Sequence, residues 1–315
     1  MQITVRSYER GDEYEIIKLF KEVFGREMTI DEWKWKYKGQ GDEKVSSTVI
    51  VNKDGGIVGH YGGIPLRMIH CGKEVKGIAI TDVMISQKFR GFFQLKRVHY
   101  FFIEGLMRDS VIMVYGFPTE KTLMLPAEKI GIYERVESVH EAIKNIRFNN
   151  NPSRFLYKLF PMNYDDERID ELWDDVKHQF ALAIIRDKTY LKWRYGENPL
   201  FTYELRGLRK RWSRKLAAFI VLKKEQSEKL YIVDMIFRKN ILSNLLSKVE
   251  NLAYSIGKKK LSLWVPHQFH DRFKEKGFSL VPTGTTLART TNPLTLQKSE
   301  MLATFFYTMG DTDYL

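Results

Sequence analysis

A short basic turn is the part of this sequence whose residues are best suited to chemistry. It spans Ser86 to Phe93 and carries Arg90 and Gly91. A β-branched, apolar run precedes it and predicts a strand, and apolar residues at helical spacing follow it and predict a helix. The first amides of a helix have no partners within the helix, and the helix dipole adds about half a positive charge there. The turn is therefore predicted to bind an anion.

Asp82 is an acid inside the otherwise apolar strand from Ile78 to Ile85. Burial beside a cleft would raise its pKa, and Asp82 could then accept a proton from an ammonium substrate. We therefore name Asp82 as the candidate catalytic residue. The alternative is a structural acid bonded to backbone amides or to an arginine. Asp234 favours that alternative, because it lies in a similar strand that is not followed by a glycine-bearing turn.

Two other groups have spacings that suggest binding. His267 and His270 stand at helical metal-ligand spacing, but the sequence offers neither a nearby third ligand nor an adjacent glutamate, so we expect no metal. The basic run from Arg206 to Lys215 indicates a solvated hairpin. The alternative is a phosphate-binding patch in which Trp212 stacks on a base or a sugar.

Composition limits the class of protein. The chain has 315 residues, 43% of them hydrophobic, which suits two globular domains. No apolar run approaches the ~20 residues that cross a bilayer, so we expect no transmembrane segment. The single cysteine, Cys71, excludes an internal disulfide, and the cytoplasm is the expected location. The net charge of +12 favours a polyanionic partner, such as coenzyme A, a nucleotide-sugar, nucleic acid or an anionic membrane surface.

Three landmarks recur in the same order and at similar separations, which predicts a duplicated unit. They are a tryptophan in a Trp-x-Tyr element, an aspartate in a strand and a glycine after a lysine-rich helix: Trp35 and Trp193, Asp82 and Asp234, Gly131 and Gly277. The turn-rich segment Asn149 to Pro152 places the boundary, so we predict one domain in residues 1–150 and another in residues 151–315. The second copy continues with Arg238 to Leu242, without a glycine. We expect it to have kept the fold and lost the anion site.

The segment Arg90-Gly91-x-x-Gln94-Leu95 resembles the pyrophosphate loop of the GNAT acyltransferases, [Gln/Arg]-x-x-Gly-x-[Gly/Ala]. Phe93 and Leu95 stand where that family usually has small residues. Tyr115-Gly116-Phe117-Pro118 and Lys129-Ile130-Gly131 are similar to the same family. The resemblance covers nearly the whole chain. It implies an α/β (α+β) fold of two tandem GNAT-like domains, each a mixed, largely antiparallel sheet flanked by helices.

The resemblance also implies the site residues. In GNAT proteins the end of the central strand pairs with the pantetheine arm of the coenzyme, and the next loop takes the pyrophosphate. The corresponding cofactor-binding residues here are Val83, Met84, Ile85, Arg90, Gly91, Phe92, Phe93, Gln94 and Leu95. The strand from Val111 to Tyr115 splays away and opens the cleft. Ala127 stands where many members have a general-acid tyrosine, so that role cannot be carried over.

An acyl-CoA-dependent N-acyltransferase is the function that the resemblance implies, with acetyl-CoA as co-substrate and no metal. The acyl group would pass within a ternary complex to an amine of a small molecule or a sugar, and similar proteins are often linked to polysaccharide biosynthesis. We also expect the tail from Thr308 to Asp313 to present Asp311 and Asp313 to the acceptor.

Two alternatives to that function stay open. One is an aminoacyl-tRNA-dependent transferase of the paired-GNAT type, in which the basic run holds the tRNA. The other is a catalytically inactive GNAT pair that serves as a binding module. Apart from tRNA, nucleic acid is not an expected partner, and the sequence leaves the oligomeric state open.

Overall fold

The computed structural model describes residues 2–38, 45–147 and 155–312. These residues form two compact units. Unit 1 takes the described residues within Met1–Met68, Glu74–Glu137 and Gly284–Met301, and unit 2 takes those within Ile69–Lys73, Ser138–Thr283 and Leu302–Leu315. The assignment of a coenzyme-binding domain to residues 1–150 and of a degenerate domain to residues 151–315 stays a prediction.

Unit 1 begins with a strand, two helices and an antiparallel run of strands. Its strands are β1 (Ile3–Ser7), β2 (Ser47–Asn52), most of β3 (Ile57–His70), most of β4 (Lys73–Ile85), β5 (Val111–Gly116) and the start of β6 (Tyr133–Asn145). Its helices are α1 (Asp12–Phe24), α2 (Ile30–Lys38), α3 (Phe92–Met107) and α4 (Leu125–Lys129). Gly25 ends α1 in the left-handed conformation, at a φ of 69°, which glycine adopts without strain.

Helix α3 packs on the sheet of unit 1 through the face that the sequence pattern predicted. Leu95, Val98, Phe102 and Leu106 are all buried in one apolar cluster with the strands. The spacing of these residues places them on one side of a helix with 3.6 residues per turn. The helix that follows the basic turn is therefore fixed to the sheet along its length.

Unit 2 also combines strands and helices, and its elements differ in length from those of unit 1. Its strands are the rest of β6, β7 (Tyr157–Pro161), β8 (Leu182–Ile184), β9 (Tyr203–Lys210), β10 (Leu216–Lys223), β11 (Lys229–Phe237), β12 (Lys260–Val265), the start of β13 (Ser279–Thr290) and β14 (Phe305–Phe306). Its helices are α5 (Arg168–Val176), α6 (Lys188–Leu191), α7 (Leu242–Ser255), α8 (His270–Glu275) and the end of α9 (Lys298–Thr304).

The two units share one order of strands. In unit 1 the order is β1-β2-β3-β4-β5-β13, with β4 and β5 parallel. In unit 2 the order is β7-β9-β10-β11-β12-β6, with β11 and β12 parallel. Each unit is therefore a mixed, largely antiparallel sheet flanked by helices, and the fold-class prediction is confirmed.

Two long strands, β6 and β13, each contribute residues to both units. The part of β13 that belongs to unit 1 pairs with β5, with Ala288 opposite Gly116. The part of β6 that belongs to unit 2 pairs with β12, from His140 to Asn145. Sequence patterns identify a strand but carry no record of its partner, so nothing in the sequence indicated that residues 284–290 complete unit 1. No helix in the described ranges is long and apolar enough to cross a membrane.

Candidate functional site

The two parallel strands of unit 1 separate part-way along their length. Strands β4 and β5 pair as far as Ala79 and Tyr115, and β4 then continues to Ile85. On its other edge β5 pairs with β13 at Tyr115 and Gly116. The backbone at Val83 and Met84 therefore lies beyond the pairing with β5, beside an opening between the two strands. An extended ligand can add to such a strand edge through backbone hydrogen bonds.

The turn after β4 leads directly into the N-terminus of α3. Leu95 N donates to Gly91 O at 3.1 Å, which is the first hydrogen bond of the helix. The amides of Phe92, Phe93 and Gln94 precede that bond and lie at the positive end of the helix dipole. A Cβ at Gly91 would come within 2.5 Å of Gln94 Oε1, so the glycine leaves room for that side chain. The predicted loop residues are thus together at one helix end.

Phe93 and Leu95, which stand in place of the family's small residues, point in different directions. The Phe93 side chain is 70% exposed, whereas Leu95 is 8% exposed and packs in the core. Leu95 therefore points away from the helix N-terminus. Phe93 lies in solvent, where it is able to contact a bound molecule.

Arg90 stands in the turn between the end of β4 and the Gly91 cap of α3. Its Nε and Nη2 atoms both lie 3.4 Å from Ile85 O, at the long limit of a hydrogen bond. Within the described ranges, no acid lies at ion-pair distance from this guanidinium. A planar guanidinium with available donors binds phosphate oxygens through two parallel charge-assisted bonds. Arg90 is therefore well placed to take a pyrophosphate.

The arginine in the corresponding turn of unit 2 already has an acidic partner. Arg238 follows β11 directly, and its Nη2 atom lies 2.5 Å from Asp175 Oδ2. Its Nε atom donates to Leu216 O at 2.9 Å. Asn240, two residues later, has a left-handed φ of 65°. The two turns thus differ in the charge that they leave available for an anion.

Asp82 is held by three side chains. Lys36 Nζ lies 2.9 and 3.0 Å from its two carboxylate oxygens, and Tyr37 OH donates to Oδ2 at 2.7 Å. His60 Nδ1 lies 2.8 Å from the Asp82 carbonyl oxygen. The side chains of Lys36 and Asp82 are 3% and 6% exposed. These contacts are typical of a structural acid, with a lysine in place of the expected arginine; a role of Asp82 as a base stays a prediction.

These contacts hold an unusual backbone conformation at Asp82. Its φ is 46°, in the left-handed region that residues other than glycine avoid. Such strain persists only where neighbouring groups hold the conformation. Lys36 and Tyr37 hold the carboxylate and His60 holds the carbonyl. Asp82 therefore fixes a kink in the stretch of β4 that lines the opening.

The second copy contains the same tyrosine–aspartate contact. Tyr195 OH donates to Asp234 Oδ2 at 2.8 Å, as Tyr37 does to Asp82. The cation differs, because Arg186 Nε binds Asp234 Oδ1 at 2.8 Å and both side chains are fully buried. The repeated Trp-x-Tyr element and the repeated aspartate are thus in contact in each unit. The repetition was visible in the sequence, but its meaning as a contact was not.

The predicted role of the tail is wrong for Asp311. Its Oδ2 atom lies 2.7 Å from Arg186 Nη2, and neither side chain is exposed. A carboxylate neutralised in a core by an arginine is not available to an acceptor. Asp313, the other acid named in that prediction, lies outside the described residues.

Two further positions considered in the sequence are the place of the general acid and the histidine pair. Ala127, in the place of the family's general-acid tyrosine, is fully buried in the core of unit 1. The rings of His267 and His270 lie 5.1 Å apart, and that of His140 lies 4.9 Å from His270. Across the described residues, no group of three or more His, Cys, Asp and Glu side chains is placed to hold a metal ion.

His99 is a buried histidine whose titration should affect stability. Burial lowers its pKa from 6.5 to about 4, and its Nδ1 lies 2.9 Å from Tyr61 OH. The unfolded chain binds the proton near pH 6.5 and the folded chain only near pH 4, so stability is full above pH 6.5 and falls between these values. By urea unfolding we expect the protein to lose about 2 kcal/mol between pH 7 and pH 5 from this residue.

Two variants test that assignment. His99→Gln should reduce the loss between pH 7 and pH 5, and His178→Gln, at an exposed histidine, should leave it unchanged. An unaltered pH dependence in His99→Gln would show that the loss comes from other groups.

Residues 4–136 match the family model of the acetyltransferase (GNAT) domain. These residues form a GNAT domain. The match covers most of unit 1, including the opening between β4 and β5, the turn and α3. The GNAT resemblance noted in the sequence is therefore confirmed. Among proteins of curated function, none matches this sequence.

Solved structures extend the similarity over both units. A probable N-acyltransferase from Enterococcus faecalis V583 is 13% identical, with a TM-score of 0.72 over 92% of this chain and 73% of its own. A GCN5-related N-acetyltransferase from Anabaena variabilis is 14% identical, with a TM-score of 0.69 over 92% and 72%. Saccharomyces cerevisiae N-myristoyltransferase, solved with myristoyl-CoA, is 12% identical, with a TM-score of 0.57 over 91% and 79%. At these identities the likeness establishes the GNAT fold.

Proposed function

We propose that this GNAT protein is an acyl-CoA-dependent N-acyltransferase whose coenzyme binds unit 1. The observation that carries the proposal is the contrast between the arginines in the corresponding turns of the two units. Arg90 stands at the helix N-terminus beside the strand opening and has no acidic partner among the described residues, whereas Arg238 is paired with Asp175. One unit thus offers a site for a pyrophosphate and the other does not.

In this proposal the coenzyme lies along the free part of β4. The backbone of Val83, Met84 and Ile85 pairs with the pantetheine arm, and the amides that begin α3 bind the pyrophosphate together with Arg90. The backbone of the remaining predicted loop residues, Gly91 to Leu95, lies next to the pyrophosphate, while the Leu95 side chain stays in the core. The thioester then lies near the kink at Asp82, in the opening between β4 and β5.

The chemical step needs a neutral amine next to the thioester. The amine nitrogen attacks the carbonyl carbon, the carbon–sulfur bond breaks, coenzyme A leaves as the thiolate, and the amine gives up one proton. Holding the two reactants together supplies much of the acceleration. Asp82 is the proposed base for that proton. Since Ala127 offers no acid, the thiolate leaves unprotonated or takes a proton from water.

Acetyl-CoA is the proposed co-substrate, and an amine of a small molecule or a sugar is the proposed acceptor. The similar proteins leave the acyl chain open, because one carries the name N-acetyltransferase and another was solved with myristoyl-CoA. A cytoplasmic location, expected from the single cysteine, is part of the proposal. Titration with acetyl-CoA, myristoyl-CoA and tRNA separates acyl transfer from the aminoacyl-tRNA alternative.

Replacing Arg90 by alanine tests the site. We expect Arg90→Ala to weaken coenzyme A binding by about 1.5–3 kcal/mol, the value of one charge-assisted contact. Isothermal titration calorimetry measures the change. Arg238→Ala is the matched control, since it removes the arginine from the corresponding turn of unit 2 and should leave the affinity unaltered. Equal affinity in wild type and Arg90→Ala would exclude this loop as the site.

The stoichiometry tests the difference between the units. We expect one coenzyme A per chain, because the turn of unit 2 has no glycine and its arginine is engaged by Asp175. Calorimetry or native mass spectrometry counts the bound coenzyme. Two per chain would contradict the loss of the second site.

A coenzyme-binding module without catalysis is the second candidate. It is favoured by the buried Ala127, which removes the family's usual acid. A protein that binds acetyl-CoA but releases no coenzyme A with any member of a panel of amines, including amino sugars, fits this candidate. Release of coenzyme A with formation of an amide supports the transferase.

A further inference from the structure

The hairpin between β9 and β10 ends in a basic tip with an exposed tryptophan. The tip contains five cations within seven residues, which are Arg209, Lys210, Arg211, Arg214 and Lys215. Trp212 lies among them, and its side chain is 84% exposed. In the described part of the chain, no ion pair neutralises any of the five.

Arg209 and Arg211 hold the tip in shape. Arg209 Nη1 donates to Arg211 O at 3.0 Å and to Ser213 O at 2.8 Å, which closes the turn around Trp212. Arg211 Nε donates to Phe155 O at 2.7 Å. Its amide donates to Leu156 O at 2.9 Å. The tip is therefore tied to the segment that precedes β7.

That segment places two exposed apolar side chains next to the tip. Phe155 is 60% exposed and Leu156 is 52% exposed. Trp212, Phe155 and Leu156 thus form an exposed apolar group bordered by cations, which we call the hairpin patch. Asp175 interacts electrostatically with Lys215, and Arg238 already pairs with this acid.

We propose that the hairpin patch docks on a membrane surface that carries anionic lipid headgroups. The cations attract the surface, and each Lys or Arg near it strengthens binding about fivefold. Tryptophan prefers the boundary between headgroups and acyl chains, where its ring is buried and its N–H remains hydrated. Phe155 and Leu156 enter the same boundary layer.

A single-stranded RNA is the partner that the patch fits less well. RNA binding also uses cations and aromatic rings, but its bases stack on flat π faces. Leu156 has no such face, although it is held next to the tip. An apolar group that includes an aliphatic side chain therefore favours an apolar phase over stacked bases.

Tryptophan fluorescence provides a selective probe. The chain has six tryptophans. The buried ones are Trp33, Trp35, Trp173, Trp193 and Trp264, and Trp212 is the exposed one. A shift of the emission on adding vesicles therefore reports on Trp212.

The test uses the full chain with vesicles of phosphatidylcholine, alone or mixed equally with phosphatidylglycerol. We expect the emission to move to shorter wavelength with the anionic vesicles only, and brominated acyl chains to quench it. Co-sedimentation should show binding about 25-fold weaker for Arg214→Glu, since one attraction is lost and one repulsion is added. Trp212→Ala should bind about tenfold more weakly.

Matched surface changes complete the test. Tyr14→Ala removes another exposed aromatic side chain, at 62% exposure, and Lys18→Glu reverses an exposed charge; neither should alter vesicle binding. Raising the salt should weaken binding of the wild type. The proposal is overturned if anionic vesicles leave the emission unchanged, if the hairpin variants bind as the wild type does, or if an RNA oligonucleotide shifts the emission while vesicles do not.

Discussion

Replacing Arg186 by methionine should lower the free energy of unfolding by about 3–5 kcal/mol, because it leaves buried carboxylates without their cation. Arg186 binds Asp234 at 2.8 Å and Asp311 at 2.7 Å, and all three side chains are fully buried. Its Nη1 atom also donates to Ile184 O at 3.0 Å. Urea unfolding followed by circular dichroism measures the loss.

Two further variants show whether that loss comes from the buried charges. Arg67→Met removes the same charge from an exposed pair, in which Arg67 and Glu74 are 51% and 54% exposed, and should cost at most about 1 kcal/mol. Changing Asp234 and Asp311 to asparagine in the Arg186→Met background removes the unpaired charges, so part of the stability should return. A loss below about 1 kcal/mol in Arg186→Met would show that the buried acids become protonated or hydrated at little cost.

Local sequence patterns predicted many of the helices and strands. The periodicity of Leu95, Val98 and Phe102 predicted the buried face of α3. The β-branched, apolar run before Arg90 predicted β4. These features depend on residues near one another in the chain, where geometry alone decides which side chains share a face. The turn that contains Arg90 and Gly91 was predictable for the same reason, since it stands at the junction of the two elements.

Contacts between distant residues were the part that sequence reasoning missed. Lys36 and Arg186 neutralise Asp82 and Asp234 from elements far away in the chain, and neither partner has a local signature. The sequence singles out the two aspartates, but a charge pattern does not show which cation forms an ion pair with each of them. The recurrence of Trp-x-Tyr with each aspartate was the one usable signal, and the Tyr37 and Tyr195 hydrogen bonds explain it.

Replacing Lys36 by methionine should lower the free energy of unfolding by about 3–5 kcal/mol, because the Asp82 carboxylate then loses its buried counter-charge. The methionine keeps most of the apolar stem, so the loss reports on charge more than on packing. Lys34→Met is the matched control on the same helix, since Lys34 is 59% exposed and lies 4.0 Å from Asp31. That variant should change stability by less than about 0.5 kcal/mol.

The double variant Lys36→Met/Asp82→Asn decides between the two roles of Asp82. If the acid is structural, removing both charges should restore part of the stability, and a double-mutant cycle should show strong coupling. If Asp82 is the base, Asp82→Asn should bind coenzyme A normally and lose amide formation even where it remains folded. A structural acid that only holds the kink in β4 predicts the reverse, namely a less stable chain whose folded fraction still transfers the acyl group. Because the Lys36 and Asp82 side chains are 3% and 6% exposed, we expect the coupling between them to be large in either case.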